Sequence, residues 1–209
     1  MIQSDAKSET RQHILKAALK RFAHSGYAAT SVQQIVSDAK VSKPTLYYYF
    51  KDKAALFQAL VSEAHDERYR LMCEAAEGAP DLRSQLTAIL AALFEYFRKN
   101  RELMRISFAT LYAAPGEVPE GLCYADKCER NFEFVRSLMK EAAKRGEVND
   151  RFDSCELTLG FYGQTHMYLM GHLILPEWRP DHRTAEHITN LFLVGADAPS
   201  KLTSRRRRT

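Results

Sequence analysis

Glycine and proline are scarce in this 209-residue chain, with 9 and 7 copies. That excludes collagen-like repeats and Gly/Pro-rich low complexity. No glycine falls between Gly26 and Gly78, and Pro44 is the only proline before Pro80. Runs of alternating β-branched residues are also missing, so nothing signals a half-buried strand. No apolar run approaches the roughly 18 residues that a membrane helix needs. The polar N-terminus, MIQSDAKSETRQ, lacks the apolar region of a signal peptide, and a cytoplasmic protein with no membrane partner is expected. Four cysteines (Cys73, Cys123, Cys128 and Cys155) are too few for a disulfide scaffold at this length. There is no H-E-x-x-H pair, Gly-rich phosphate loop or G-x-S-x-G elbow, so neither an enzyme nor a cofactor is expected. His182, Glu186 and His187 lie near one turn and could at best form a weak surface metal site, so no metal is assigned.

The charge that is present is unevenly placed. Residues 1–60 carry 9 Lys/Arg against 4 Asp/Glu, whereas residues 61–204 carry 17 against 22, and residues 205–208 are four arginines. A basic N-terminal module on an acidic body points to a polyanion at one end only.

Ala, Leu, Glu, Lys and Arg dominate, and the chain reads as all-α. The first helix is expected from Ser8 to just before Gly26, with Ile14, Ala18 and Phe22 on one inward stripe. Thr30 and Gln33 form a T-x-x-Q capping box for a second helix. Ser42 caps a third, whose first turn accepts Pro44 without loss of a hydrogen bond. Asp52 caps a fourth helix over 53–77. Two short helices across a tight turn make a helix-turn-helix pattern. On the third helix, Leu46 and Phe50 point inward. Pro44, Thr45 and Tyr48 point away from them, flanked by Lys43, Tyr47 and Tyr49. Tyrosine hydroxyls and a lysine at a helix start suit sugar, base-edge and phosphate contacts. Thr30, Ser31, Ser42 and Lys53 add donors near helix N-termini. Such a helix is shaped to enter a major groove of double-stranded DNA.

Three stretches carry a family resemblance: R-x-x-I-L-x-A-A-L-x-x-F-A over residues 11–23, G-Y-x-x-T-S-V-x-x-I over 26–35, and V-S-K-P-T-L-Y-Y-Y-F-K-D-K-x-A-L-F over 41–57. Residues 8–60 resemble the DNA-binding module of the TetR family of transcriptional regulators. The resemblance implies that Lys43, Pro44, Thr45, Tyr47 and Tyr49 meet bases or adjacent backbone, and that Thr30, Tyr48 and Lys53 contact phosphate. One position departs from the pattern: Lys40 stands where the family usually has a turn glycine. A left-handed conformation there costs about 1 kcal/mol in a residue with a Cβ, and Lys40 is itself a candidate phosphate contact.

Beyond this module, helices are expected near 81–99, 101–114, 121–145, 154–175 and 181–197. Aromatic and methionine stripes run through them: Phe94, Phe97, Met104, Phe108, Tyr112, Phe132, Met139 and Tyr162. Gln164, Thr165 and His166 interrupt an otherwise apolar helix, and buried polar groups need partners. Together these residues form a candidate pocket for a small apolar or aromatic effector, an expectation resting in part on the family. Gly160, Gly163 and Gly171, with Met167, suggest close approach of a second backbone. Ile188, Leu191, Phe192 and Gly195 offer a companion stripe, giving a candidate homodimer interface. The expected division is a helix-turn-helix domain over 8–54, a ligand-binding and dimerisation domain over 55–198, and a basic disordered tail over 199–209. The expected function is a ligand-responsive, dimeric repressor on a palindromic operator. A DNA-binding regulator without an effector and a histidine-based metal sensor are the alternatives.

Overall fold

The computed structural model of the protein describes residues 2–149, 151–175 and 177–196, with backbone alone for 2–6 and 194–196. Among these residues there are nine α-helices and no strand: α1 (Ile2–Ala29), α2 (Val32–Ala39), α3 (Lys43–Tyr49), α4 (Lys53–Ala76), α5 (Leu82–Lys99), α6 (Arg101–Leu111), α7 (Ala125–Lys144), α8 (Ser154–Ile174) and α9 (His182–Ala196). None of them is long and apolar enough to cross a membrane. The arginine tail over 205–208 lies outside the described residues.

The chain forms two compact units. One comprises the residues up to 67 together with 100–127, the other 68–99 together with those from 128 on. This grouping departs from a division at residue 54. The start of α4 and the whole of α6 belong with the N-terminal helices.

In the first unit, α1 buries Ile14, Leu15, Ala18 and Phe22, which recur at i, i+4 and i+8. They meet Ile35 and Val36 of α2, Leu46 of α3, Leu56, Phe57 and Leu60 of α4, and Ile106 of α6 in one apolar cluster. The rings of Phe22, Tyr27 and Phe57 pack at 5.1–5.8 Å centroid separations, two of the three pairs edge to face. α3 has only 7 residues, far below the roughly 12–15 at which an isolated helix becomes marginal. Its fixed place comes from Leu46, fully buried, and Phe50 at its C-cap. Burying a leucine contributes about 1.5–3 kcal/mol, which determines the face α3 turns inward.

Helix ends follow local chemistry. Gly26, at φ +76°, breaks α1 one turn before its last residue. The α2 capping box is Ser31–Gln34, one position later than the expected Thr30–Gln33. Ser31 Oγ accepts from the Gln34 N–H at 3.2 Å, and Gln34 Oε1 accepts from the Ser31 N–H at 2.8 Å. Thr30 is unavailable for this role because it is buried and its hydroxyl donates to the Gly26 carbonyl at 2.7 Å. Asp52 caps α4 as expected, accepting from the Ala55 N–H at 2.7 Å. α6 ends at Leu111 and α7 begins at Ala125, so the loop is longer than the sequence signals. Its end is pinned in non-helical form by a reciprocal pair: the Cys123 N–H donates to Gln58 Oε1 at 2.8 Å, and Gln58 Nε2 donates back to the Cys123 carbonyl.

In the second unit α5, α8 and α9 pack on one another around Leu86, Ile89, Leu90, Phe94, Phe161 and Ile188, with Val135 and Met139 of α7 also buried. α8 starts with a capping box in which Asp153 accepts from the Cys155 and Glu156 N–H groups at 2.7 and 2.9 Å.

Lys40 adopts the left-handed conformation expected of it, φ 53° and ψ 41°. Its N–H donates to the Ser37 carbonyl at 3.2 Å, and the Val41 N–H reaches back to the Val36 carbonyl at 3.0 Å. Replacing Lys40 with glycine relieves a strain of about 1 kcal/mol, offset in part by glycine's larger unfolded-state entropy. Thermal denaturation of Lys40→Gly should therefore give a Tm higher by about 1–2 °C; a lower Tm would show that the side chain itself stabilises the turn.

Candidate nucleic-acid interface

The turn between α2 and α3 and the outer face of α3 gather most of the residues singled out above. Ser42 caps α3: its Oγ accepts from the Thr45 N–H at 3.2 Å and lies 2.8 Å from Thr45 Oγ1. Thr45 is thus half-buried with its hydroxyl engaged inside the cap. Lys43 and Pro44 are exposed. Tyr47 and Tyr48 are 49% and 67% exposed, unusual values for large side chains on a helix held by burial. Tyr49 is half-buried, with its ring edge to face on Tyr48 at 5.0 Å. Lys40 and Ser31 are exposed beside this surface in sequence and share the same unit.

Two expected phosphate ligands are committed elsewhere. Thr30 is 2% exposed; its hydroxyl is taken by the Gly26 carbonyl and its N–H by the Tyr27 carbonyl. Lys53, in the first turn of α4, places its ammonium 2.8 Å from the carbonyls of Tyr27 and Thr30 and 3.4 Å from that of Ala28. It also lies 4.2 Å from the centre of the Tyr27 ring. Burial pulls its pKa below the ordinary lysine value. Three N–H donors meet three acceptors at a helix C-terminus, where carbonyls lack intrahelical partners and the dipole favours a cation. The resemblance implies a phosphate contact for Lys53; in this structure its ammonium forms a clamp joining the end of α1 to the start of α4.

Two further groups, not anticipated from the sequence, shape the surface. Arg21 and Asp38 form a two-pronged pair between α1 and α2, at 2.5 and 2.7 Å. The guanidinium holds the Asp38 carboxyl below the usual carboxylate range. Both ends are partly exposed, so the pair sets geometry more than stability. Lys7, in the first turns of α1, stands 5.7 Å from the Tyr48 ring centre. Hydrogen bonding to Tyr48 raises its pKa. Its only sequence signal is the basic bias of the N-terminus.

The expected effector residues are divided between the units. Met104, Phe108 and Tyr112 belong to the first, with Tyr112 exposed at the C-cap of α6. In the second unit Phe94, Phe97 and Met139 are core residues. Phe132 and Tyr162 stack at 6.0 Å, and the Tyr162 hydroxyl donates to the Asn131 carbonyl at 3.1 Å. Burial pushes the Tyr162 pKa up to about 12, against the opposing pull of Arg68. The Thr165 hydroxyl donates to the Phe161 carbonyl at 2.8 Å, and His166 is half-buried. Gln164 differs: its Oε1 is buried and has no hydrogen-bond partner.

The expected dimer residues also separate into two groups. Gly160, Gly163, Met167 and Leu191 are exposed on α8 and α9. Ile188 and Phe192 are instead buried within the unit, the Phe192 ring 5.9 Å from that of Phe161. Gly171 accommodates Trp178, whose ring would collide with a Cβ at that position. Gly195 lies among the residues described by backbone alone. Among the described residues no three His, Cys, Asp or Glu side chains group to hold a metal, and His182 pairs with Glu186 on the surface at 3.4 Å.

Comparison with known proteins places this geometry. Residues 14–60 match the sequence model of the bacterial regulatory proteins, tetR family. The uncharacterised HTH-type transcriptional regulator YvkB of Bacillus subtilis is 25% identical over 202 residues, covering 90% of this chain and 98% of its own. The HTH-type transcriptional regulator AcrR of Shigella flexneri is 36% identical over 105 residues, 48% of each chain. The transcriptional regulator FadR of Bacillus subtilis, crystallised with stearoyl-CoA, shares the fold at a TM-score of 0.78 and 17% identity, over 88% of this chain and 98% of that one. Over residues 14–60 the chain carries the helix-turn-helix module of the bacterial tetR regulatory proteins, and over most of its length it is similar to helix-turn-helix transcriptional regulators.

Proposed function

We propose that two copies of this chain bind a near-palindromic operator as a repressor, with α3 of each in a major groove, and that a mostly apolar effector held by the second unit releases them. The observation that carries the DNA reading is α3 itself. A seven-residue helix anchored by a fully buried Leu46 presents Lys43, Pro44, Tyr47 and Tyr48 to solvent. Of these, Lys43, Pro44 and Tyr47 are assigned to base edges and adjacent backbone and Tyr48 to phosphate, and Lys40 and Lys43 supply positive charge for phosphate. Thr30 and Lys53 act within the protein, holding α2 and α4 to the end of α1.

Pairing is supported by an exposed apolar strip on the second unit. Leu159, Met167 and Leu191 are 59–61% exposed, and Gly160 and Gly163 between them let another backbone approach. Two-fold symmetry then sets the two reading helices one helical turn of DNA apart, or a multiple of it. For the effector, the buried Gln164 acceptor without a partner offers a polar fixing point on α8, the helix that also carries Tyr162 of the Phe132–Tyr162 stack. Arg68, 5.9 Å from the Phe97 ring and with its pKa lowered by burial, supplies the cation that an acidic head group would meet. The fold shared with the FadR protein crystallised with stearoyl-CoA supports an effector of that amphiphilic kind.

The reading is tested on a palindromic duplex selected by the protein from a random library, with affinity measured across salt concentrations. Lys43→Ala should weaken binding and flatten the plot of log K against log salt by about 0.9, the increment for one phosphate contact. Lys53→Met should lower the Tm by several degrees while leaving that slope unchanged; a slope flattened as in Lys43→Ala would return Lys53 to the phosphate. Selection of no duplex at low salt would sink the operator reading altogether.

Pairing has its own measurement. Met167→Glu places a charge at the centre of the strip, and sedimentation should then find monomers, with affinity for the palindrome reduced by at least tenfold. A dimer that survives both Met167→Glu and Leu191→Glu would locate the interface elsewhere.

A further inference from the structure

The first unit contains a cavity of its own. It lies where the last turn of α1 faces α6 and the segment that follows it, with a volume of about 260 Å³. Phe22, Tyr27 and Phe57 form an aromatic wall; Ile106 and Thr110 of α6 and Val118 form the opposite one. No basic group lines it. Its one carboxylate, Glu117, is exposed and already accepts from the Ala114 N–H at 2.9 Å.

Thr110 is the anomaly in this cavity. It is 9% exposed, and its hydroxyl oxygen is buried without a hydrogen-bond partner. Elsewhere in these helices Ser107, Thr158 and Thr165 solve the same problem by donating to the carbonyl four residues back, at 2.6–2.9 Å. Thr110 makes no such bond to Ile106. A buried hydroxyl left unsatisfied is costly, and native structures keep few of them. Threonine in a helix populates two χ1 rotamers, and Thr110 is one of the residues that line the cavity.

We propose that this cavity is a small-molecule site within the DNA-binding unit, taking a compact, uncharged aromatic molecule with a single N–H or O–H group. The walls supply ring faces and edges for an aromatic body, and Thr110 Oγ1 accepts the ligand's proton. The threonine proton is then free for the Ile106 carbonyl, so both halves of the hydroxyl are satisfied. Size sets the upper limit: a cavity of about 150 Å³ holds benzene, so this one admits a bicyclic ring of about ten non-hydrogen atoms. A charged ligand would find no counter-ion on the inner walls. The occupant would touch the turn from Gly26 to Ala29, whose carbonyls at Tyr27 and Ala28 receive the Lys53 ammonium. This inference stands apart from the effector reading of the second unit.

The test uses 5-fluoroindole with the full chain, followed through the ligand's ¹⁹F resonance. Binding should saturate below about 1 mM, in keeping with the efficiency of small ligands. Intermolecular nuclear Overhauser effects should connect the ring to the Ile106 and Val118 methyls. Thr110→Val keeps the volume, removes the hydroxyl and should weaken binding about fivefold or more, the worth of one hydrogen bond; its own Tm should equal or exceed that of the parent. Ala109→Phe, at an exposed α6 position on the cavity rim, should abolish binding by filling the space. Absence of saturation overturns the proposal, as does parental affinity in either variant. Binding that persists in both variants moves the ligand to the second unit and leaves the effector reading intact. Should Ala109→Phe not fold, the Overhauser contacts in the parent decide the location.

Discussion

A lysine ammonium set on the frayed end of α1 is the constraint from which the DNA-binding unit takes its shape. Gly26 interrupts that helix, and the turn after it leaves several carbonyls with no intrahelical donor. Lys53 fills the deficit from the first turn of α4, bonding the carbonyls of Tyr27, Ala28 and Thr30 while its charge lies over the Tyr27 ring. Hydrogen bonds from a charged donor to neutral acceptors are worth about 1.5–3 kcal/mol each when desolvated. Their joint effect is to fix the start of α4, the end of α1 and the residue preceding α2 in one cluster. Thr30 completes it by tying its own hydroxyl back to Gly26. The position of α2, and therefore of α3 beyond the Lys40 turn, is inherited from this point.

That arrangement explains why α3 can be so short and so exposed. A helix of 7 residues has no stability of its own, and its outer residues are chosen for what lies outside the protein. Leu46 and Phe50 anchor it from below, Ser42 closes its first turn, and the Arg21–Asp38 pair holds α2 against α1. With the scaffold satisfied in this way, the tyrosines of the outer face make few demands on the core. The left-handed Lys40 is the strained element in this scheme, the one non-glycine residue with positive φ among the described residues.

Much of this was legible in the chain before any coordinates. The Ile14–Ala18–Phe22 stripe and the Ser42 and Asp52 caps follow from residue type and spacing alone, the strain at Lys40 follows from the family resemblance, and the expected bounds of eight of the nine helices lie within a few residues of those observed. Less legible were features that depend on a partner distant in sequence. Thr30 and Ser31 both read as caps, and only burial of Thr30 against Gly26 selects Ser31. An amphipathic α6 announces a buried face without naming what covers it, so its membership of the N-terminal unit was hidden. For the same reason Met104, Phe108 and Tyr112 were grouped with aromatic residues of the other unit. Ile188 and Leu191 lie three residues apart on α9, yet one is core and the other exposed; a stripe a little too wide merges the two faces.

Donor accounting separates residues that build a surface from residues that use it. Lysine and threonine at helix starts are equally able to bind phosphate or to cap a neighbouring helix, so residue type and spacing leave both roles open. The deciding quantity is how many of a side chain's protons already have acceptors. For Lys53 three carbonyls lie within bonding distance of its three protons, and for Thr30 the hydroxyl and the amide are both engaged. To take a phosphate, either would have to give up bonds made in a partly desolvated site, losing what it gained. Tyr47 and Tyr48 have less to give up, since their rings are largely in water and gain area on meeting a groove. On the reading proposed above, recognition concentrates on the aromatic face of α3 and its flanking lysines, while the residues around the end of α1 supply the rigidity that makes a short helix a reliable probe of shape.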